Sequence, residues 1–348
     1  MPTRPGRPSR LMLLAVAAIS AAVLAGCASP GAGGEGDGPR VVATTTQVAD
    51  FTDEVAGEQV VLTRLLEPGQ SAHAFDPSAA QLLALGQADA LVVNGGGLES
   101  WLDDAIAASG FDGALIDAST GIELAATDDA HGDEADHADE HAADEPAGDE
   151  QDDHDHSGGN PHTWTDPVLA ERMVANIADG LADLDGVDVE ALRETESDYA
   201  AQLEALDAWI AENVATVPVE QRLLVTNHDA FTYFLSAYDV TFVGSIIPSF
   251  DDNAEPSAAE IDALVRRIRG TGVEAVFSEA SISPKAAETI AAEAGVAVYS
   301  GEDALYGDSL GQPGSEGETY LGSQLHNARL ILESWGVEPS ALPEALRG

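Results

Sequence analysis

Hydrophobic and polar residues alternate along most of this chain in the pattern of repeated strand–helix units. Short apolar runs predict buried strands over residues 41–46, 60–66, 90–93, 114–117, 223–226, 240–243, 275–278 and 296–299. Apolar residues at helical spacing predict helices between these strands, for example over 78–86 and 98–108. Strands that alternate with helices are typical of parallel sheets, so the pattern predicts an α/β fold.

The longest helical pattern covers residues 189–216, where one apolar stripe repeats at intervals of three, four or seven residues. Its members are Leu192, Tyr199, Leu203, Leu206, Ile210 and Val214. At a rise of about 1.5 Å per residue this helix is about 40 Å long, enough to run along a pair of domains. We therefore expect an N-terminal α/β lobe over 41–188, one long rigid linking helix, and a C-terminal α/β lobe over 217–348.

The start of the chain has the features of a bacterial export signal. Three arginines precede an apolar run over 11–23, which is shorter than the about 20 residues that a membrane-spanning helix needs. The run ends in the residues LAGC, which resemble a lipobox, where a signal peptide is cut before an acylated cysteine. This pattern predicts a signal peptide at 1–26, a lipid anchor at Cys27, a flexible tether over 27–40, and an extracytoplasmic location at the cell membrane. An ordinary signal peptide with a chance cysteine is the alternative.

The charge of the chain excludes one class of function and marks out one segment. The chain has 62 Asp and Glu against 14 Lys and Arg, which gives a formal net charge of -48. Because nucleic-acid binding requires basic patches, this charge excludes a nucleic-acid-binding protein. Residues 128–156 hold 14 of the acidic residues and show no apolar periodicity, so this segment is predicted to be a disordered insertion. It also contains five of the nine histidines, namely His131, His137, His141, His154 and His156.

Three of the four remaining histidines occupy similar loop positions. His73 and His162 each lie shortly before an Asp-Pro pair that is expected to start a helix, and His228 directly follows a predicted strand. Because α/β proteins bind ligands at the carboxyl ends of their strands, these loops are candidates for one shared site. Their spacing matches no local metal motif, so a three-histidine metal site and ordinary loop histidines both stay open at this point. The fourth, His326, is expected to be a surface or packing residue.

Four segments of the sequence resemble one known family. They are GQSAHAFDPSAAQLLALGQADALVVNGGGLESWL, NPHTWTDP, LLVTNHDAFTYF and AEPSAAEIDALVRRIRGTGVEAVFSEASISPKAAETIAAEAGV, and the second and third are the most specific. These strings resemble the zinc/manganese solute-binding proteins of ABC importers, the cluster A-I or ZnuA/TroA-like family. The similarity covers nearly all of residues 41–335. It implies two lobes joined by a long helix, with a metal ion in the cleft between the lobes.

Carried over residue by residue, the metal ligands that the resemblance implies are His73, His162, His228 and Asp308. The assignment of Asp308 depends on the short string LYGDSLG, and the carboxylates of Glu302 and Asp303 lie close to it in the sequence. In one zinc-specific pattern of the family a Glu precedes the first ligand histidine, whereas this chain has Ala72 there. This departure shifts the role of the fourth ligand onto Asp308.

The resemblance also implies a function, in which the protein captures a metal ion outside the cytoplasm and passes it to an ABC transporter permease, as a monomer and without catalysis. Three imidazoles and one carboxylate suit Zn²⁺ in a tetrahedron, whereas Mn²⁺ prefers more oxygen ligands. Manganese members of the family tend to have a carboxylate at the position of His228. We therefore expect Zn²⁺, with a manganese-binding homologue as the alternative. The histidine-rich insertion lies where zinc members often carry such a loop, which favours a weak zinc collector over a solvated acidic linker.

Two other classes of function are weighed against metal capture. A secreted zinc hydrolase needs an open coordination position for water and a nearby base, but the chain has no HExxH motif and no Glu beside His73, His162 or His228. An interaction or adhesion lipoprotein is compatible with the predicted fold. It would predict that metal uptake survives loss of the protein.

Overall fold

The computed structural model describes residues 38–126, 159–249, 252 and 254–347. The predicted signal peptide, Cys27, most of the predicted tether and the five histidines of the insertion lie outside this part of the chain. Within it, no helix combines the length and the apolar character needed to cross a membrane.

The predicted strands are present, and the pairings between them are parallel. In chain order they are β1 Arg40–Ala43, β2 Val61–Arg64, β3 Ala90–Val93, β4 Ala114–Asp117, β5 Leu223–Thr226, β6 Thr241–Ser245, β7 Ala275–Phe277 and β8 Ala297–Tyr299. The first four form one sheet in the order β2-β1-β3-β4, while β5 pairs with β6 and β7 with β8. Val41 lies opposite Ala90 and Ala43 opposite Val92, so β1 and β3 end at the same edge of their sheet.

Helices connect these strands in the α/β order that the sequence predicts. Those of the described residues are α1 Thr46–Ala56, α2 Ala79–Leu85, α3 Leu102–Ser109, α4 Pro167–Ala182, α5 Val189–Val214, α6 Thr232–Ala237, α7 Ala258–Thr271, α8 Lys285–Ala294 and α9 Tyr320–Ser334. Helix α5 has 26 residues, and its predicted apolar stripe is buried. The strand predicted over 41–46 ends earlier, because the Thr45 hydroxyl accepts a hydrogen bond from Val48 N and so starts α1.

Side-chain caps set the beginnings of the two helices that follow the first two candidate histidines. The Asp166 carboxylate caps α4 with proline at the first helical position, as the sequence predicts. The corresponding prediction for the Asp-Pro pair at 76–77 is wrong. Helix α2 begins after Ser78, whose hydroxyl accepts from Gln81 N while the Gln81 side chain accepts from Ser78 N. This reciprocal pair leaves residues 76–77 in the loop that carries His73.

Helix α3 begins at Leu102, four residues later than the apolar pattern over 98–108 predicts. The Glu99 side chain turns inward and accepts hydrogen bonds from Asn94 N at 2.7 Å and from Gly95 N at 3.2 Å. These bonds stabilise a glycine-rich turn, in which Gly95 has a φ of 79° that favours glycine. The turn lies directly after β3, at the sheet edge where His73 is also found.

Two apolar cores stabilise the part of the chain that the structure describes. The larger core runs continuously from the four-stranded sheet through the inner face of α5 to β5, α6 and α9. A smaller core lies between β6, β7, α7 and α8 around Leu264, Val276 and Ile290. Because α5 shares one core with both halves of the chain, it is packed along its length. This packing agrees with a rigid connection between the halves.

Candidate metal centre

Four side chains from distant parts of the sequence converge at the edge where strands of both halves end. His73 lies in the loop after β2, His162 in the segment before α4, His228 just after β5, and Asp308 in the long loop before α9. Each residue contributes one donor atom, a ring nitrogen or a carboxylate oxygen, and these four atoms all lie within 4.8 Å of one another. All four residues are buried. The structure thus brings together the four residues that the family resemblance implies as ligands.

The distances between these donor atoms fit a single small cation. His73 Nε2 lies 3.2 Å from His162 Nε2 and 3.4 Å from Asp308 Oδ2. Asp308 Oδ1 lies 2.9 Å from His162 Nε2, and Asp308 Oδ2 lies 3.1 Å from His228 Nε2. A tetrahedral zinc ion with bonds of about 2.0–2.1 Å holds its ligand atoms about 3.3 Å apart. The quoted contacts are therefore close to the spacing between ligand atoms in such a site.

His73 Nε2 and His162 Nε2 lie within hydrogen-bond distance of each other, but the other donor atoms of the cluster are close together without that alignment. His228 Nε2 and both carboxylate oxygens of Asp308 are buried without a well-formed hydrogen bond. A buried polar atom without a partner costs about 1–3 kcal/mol of stability. A cation between these atoms would pair all three at once, so the residues present fit a metal ion.

Asn160 orients His162 and ties it to the other half of the chain. Asn160 Oδ1 accepts a 3.1 Å bond from His162 N and lies 2.7 Å from His162 Nδ1. Since an amide oxygen only accepts, Nδ1 carries the proton and Nε2 presents its lone pair to the cluster. Asn160 Nδ2 donates to Asp229 O at 2.7 Å, in the loop that follows His228, and to Thr232 Oγ1 at 3.1 Å, at the start of α6. The Asn160 side chain thus connects the segment that carries His162 to the segment that carries His228.

Glu279 orients His228, and sequence reasoning did not find it. Glu279 Oε1 lies 2.9 Å from His228 Nδ1 and accepts a 3.0 Å bond from His228 N. The two residues are 51 positions apart, so no local motif connects them. The available signal was position, because Glu279 follows β7 just as His228 follows β5.

The loop that carries Asp308 is hydrogen-bonded to the N-terminal half of the chain. The carbonyl of Gly307 accepts bonds from Gln47 Nε2 and from Trp164 Nε1, each 3.1 Å long. Gln47 belongs to α1, and Trp164 lies two residues after His162. These bonds tie the Asp308 loop to the half of the chain that supplies His73 and His162, while Leu305 and Tyr306 tie the start of the same loop to the C-terminal half.

The same loop contains a G-x-S-x-G string over residues 307–311, the pattern of the nucleophile turn of serine hydrolases. That turn joins a strand directly to a helix, whereas this string lies within an irregular loop. The Ser309 hydroxyl is buried, accepts from Gly69 N at 2.7 Å, and donates to Leu310 O at 3.0 Å. Leu310 N in turn donates to Thr46 Oγ1 at 2.9 Å. Ser309 therefore acts as a structural tie between the two halves.

The pKa values of the clustered groups shift in opposite directions. Burial lowers the pKa of His162 to about 4, in spite of the nearby carboxylate of Asp308. Burial also opposes protonation of His228, but the carboxylates of Asp308 and Glu279 outweigh it and raise the pKa of His228 well above its usual value. Burial favours the neutral form of Asp308, yet the imidazoles of His228 and His162 hold its pKa well below the usual range. Burial opposes protonation of His73 as well, but the hydrogen bond and charge of Asp308 raise its pKa. Without a metal these shifts favour an ionised Asp308, protonated His73 and His228, and a neutral His162.

The other candidates from the sequence lie apart from the cluster. Glu302 and Asp303 form an exposed turn after β8, so Asp308 is the carboxylate that this loop brings to the histidines. His326 is buried in α9, where Nδ1 lies 3.1 Å from Glu316 Oε2 and Nε2 lies 3.0 Å from the Ala304 carbonyl. It is a packing residue, one of the two roles expected for it.

The sequence and the structure are similar to those of known metal-binding proteins. Residues 41–334 match the family described as zinc-uptake complex component A, periplasmic. The manganese-binding lipoprotein MntA of Halalkalibacterium halodurans is 28% identical over 311 residues, which cover 89% of this chain and 93% of that protein. The zinc-binding protein AdcA of Streptococcus pyogenes is 29% identical over 312 residues, which cover 88% of this chain and 58% of that protein. The periplasmic zinc binding protein TroA from Treponema pallidum has a similar structure, with a TM-score of 0.72 at 25% identity over 86% of this chain and 99% of that one.

Proposed function

Because the chain belongs to the family of the periplasmic zinc-uptake component A, the metal-binding proteins of ABC transporters, we propose that it captures Zn²⁺ outside the cytoplasm and delivers it to the transporter permease. One observation carries this proposal, namely the buried cluster of His73, His162, His228 and Asp308. Its donor atoms come from both halves of the chain. A bound ion would be enclosed by protein. This suits an ion that is transported and takes no part in a reaction.

The donor set supports zinc as the cargo. Zn²⁺ readily accepts three imidazole nitrogens and one carboxylate oxygen in a tetrahedron, whereas Mn²⁺ favours oxygen-rich sites. The Nδ1 contacts of His162 and His228 leave both Nε2 atoms directed at the cluster. Manganese is the second candidate, because MntA and other relatives are named for it.

The same geometry supports capture over hydrolysis. Four protein donors fill a tetrahedral zinc shell, whereas a catalytic zinc site keeps one position for the water that it activates. Ser309, the hydroxyl nearest in sequence to Asp308, is already engaged in two hydrogen bonds. We therefore infer a role in transport without catalysis.

We further propose that a lipid at Cys27 holds the protein, as a monomer, on the outer face of the cell membrane. The lipobox-like residues before Cys27 support this, and similar proteins are named lipoproteins. Two acyl chains on a terminal cysteine are enough for stable attachment to a membrane. Mass spectrometry of the protein isolated from cells would reveal a diacylated Cys27 as its first residue, and an unmodified cysteine there would contradict the anchor.

Metal analysis and calorimetry of the purified protein test the identity of the cargo. We expect one tightly bound Zn²⁺ per chain and Mn²⁺ binding that is weaker by roughly 100-fold or more. The same titration without residues 128–156 should retain the tight site and lose only weak additional sites. Equal affinity for the two metals would contradict zinc selectivity. Loss of the tight site together with the insertion would contradict the cluster as its location.

Zinc binding at pH 7 is expected to release at least one proton per ion, because the pKa values of both His73 and His228 are raised. The pKa of His228 is raised well above its usual value, so its imidazole carries a proton that the metal must displace. Protons therefore compete with zinc below that raised pKa. The affinity should fall as the pH falls, by about tenfold per pH unit for each proton displaced, beginning above the ordinary histidine pKa of about 6.5. Calorimetry in two buffers of different ionisation enthalpy measures this release, and identical binding enthalpies in both buffers would count against it.

A further inference from the structure

Glu279 is a buried carboxylate beside the cluster that the proposed ligand set does not use. Its Oε1 accepts hydrogen bonds from His228 N and His228 Nδ1, at 3.0 and 2.9 Å. Its Oε2 is buried without a hydrogen-bond partner, and the residue is only 1% exposed. Burying a carboxylate that is only half satisfied destabilises a fold, so packing alone gives no reason for an acid at this position.

The neighbouring backbone leaves room for this carboxylate. A Cβ atom on Gly307 would lie 2.1 Å from Glu279 Oε2, closer than the two atoms can approach, and a tight 3.1 Å from Glu279 Cδ. Gly307 does not have a positive φ, so glycine is needed there for space and not for backbone conformation. Glu279 is therefore seated between the imidazole of His228 and the backbone next to Asp308, in contact with two of the donor loops.

We propose that Glu279 is a positioning residue for zinc capture, which holds His228 with its proton on Nδ1 and strengthens Nε2 as a donor to the ion. This inference rests on the proposed metal-binding function. A carboxylate that accepts from the far nitrogen of a ligand histidine fixes the ring and raises its basicity, and its loss lowers metal affinity by about 10–100-fold. His162 receives the same orientation from the neutral amide of Asn160. The charged partner makes His228 the more basic donor of the two. The proposal concerns the affinity that His228 gives to the site, and its contact with Glu279 is the observation that carries it.

Substitutions of Glu279 in the full chain test its role. Glu279→Gln keeps the shape and an acceptor oxygen but removes the charge, and Glu279→Ala removes both. In competition with a chromophoric chelator, we expect zinc affinity to fall by about 10-fold for Gln and about 100-fold for Ala. Glu316→Gln is the matched control, because Glu316 lies 3.1 Å from Nδ1 of His326, outside the cluster, and its loss should leave zinc affinity unchanged. Wild-type affinity in both Glu279 variants would overturn the proposal.

A double-substitution experiment separates positioning from general support of the fold. If Glu279 acts through His228, Glu279→Gln should change zinc affinity by less than about twofold once His228 is already alanine. An undiminished loss in that background would overturn the proposal, because the effect would then bypass His228. Failure of the proposed function is distinguishable from all these results, since the unaltered protein would then bind no zinc.

Discussion

Replacing Asp308 with alanine is expected to lower zinc affinity by more than about 100-fold. Loss of a residue that only supports a ligand costs up to about 100-fold, and loss of a ligand itself should cost more. Asp308 is the single carboxylate among the four donors, and its oxygens lie between 2.9 and 3.4 Å from the Nε2 atoms of three histidines. Without it, a dication would meet only neutral imidazoles in a buried site of low dielectric constant, where uncompensated charge is strongly disfavoured.

Chelator competition at pH 7 measures this loss, with Asp308→Asn as the variant that keeps the volume of the side chain. Asp303→Ala is the matched control, because Asp303 lies in the same loop region but in an exposed turn. We expect Asp303→Ala to bind zinc as tightly as the unaltered protein. A large loss on replacing Asp303, with none on replacing Asp308, would show that the fourth ligand is assigned to the wrong carboxylate.

Replacing Gly307 with alanine is expected to destabilise the metal-free protein by about 1–3 kcal/mol, as overpacking of a filled interior does. The added methyl group would meet the Glu279 carboxylate at 2.1 Å. The backbone has little freedom to move away, because Gln47 and Trp164 both donate to the Gly307 carbonyl. The displaced groups orient His228 and Asp308, so zinc affinity should decrease as well.

Urea unfolding followed by circular dichroism measures the free energy of unfolding of this variant. Gly270→Ala in α7 is a suitable control, since a Cβ atom there meets nothing within 4 Å and the backbone φ is not positive. That substitution should stabilise the protein by about 0.5–1 kcal/mol, because alanine favours the helix over glycine. If Gly307→Ala left the free energy of unfolding unchanged or raised it, the steric conflict at Gly307 would be refuted.

Much of the fold could be predicted because its strands are short, apolar and separated by polar turns. The predicted strands over 90–93, 114–117 and 223–226 coincide with β3, β4 and β5. Errors occurred where one side chain decided the boundary. Thr45 ends the first strand and starts α1, and Ser78 caps α2 in place of the acid two residues earlier. Such local hydrogen bonds leave little trace in the hydrophobic pattern.

The candidate site could be predicted less completely from the residues alone. His73 and His162 are 89 positions apart, and only the parallel order of the strands brings their Nε2 atoms within 3.2 Å. The spacing therefore left ordinary loop histidines open, and Asp308 entered through the family resemblance. Glu279 was missed, because its role depends on a contact with His228 that no periodicity reveals. Its place directly after a strand is the physical signal that a sequence-based search would need to include.

The hydrogen bonds of the Asp308 loop also bear on how a cargo ion would be unloaded. Although Asp308 follows β8 in the chain, Gln47, Trp164 and Thr46 fasten its loop to the N-terminal half. If the two halves separate while these bonds persist, the ligands His73, His162 and Asp308 stay together. Only His228 then moves away from the ion. The chelate would then open asymmetrically, from tetradentate to tridentate. A receiving site in the permease would then have to bind the ion more tightly than the three remaining ligands do.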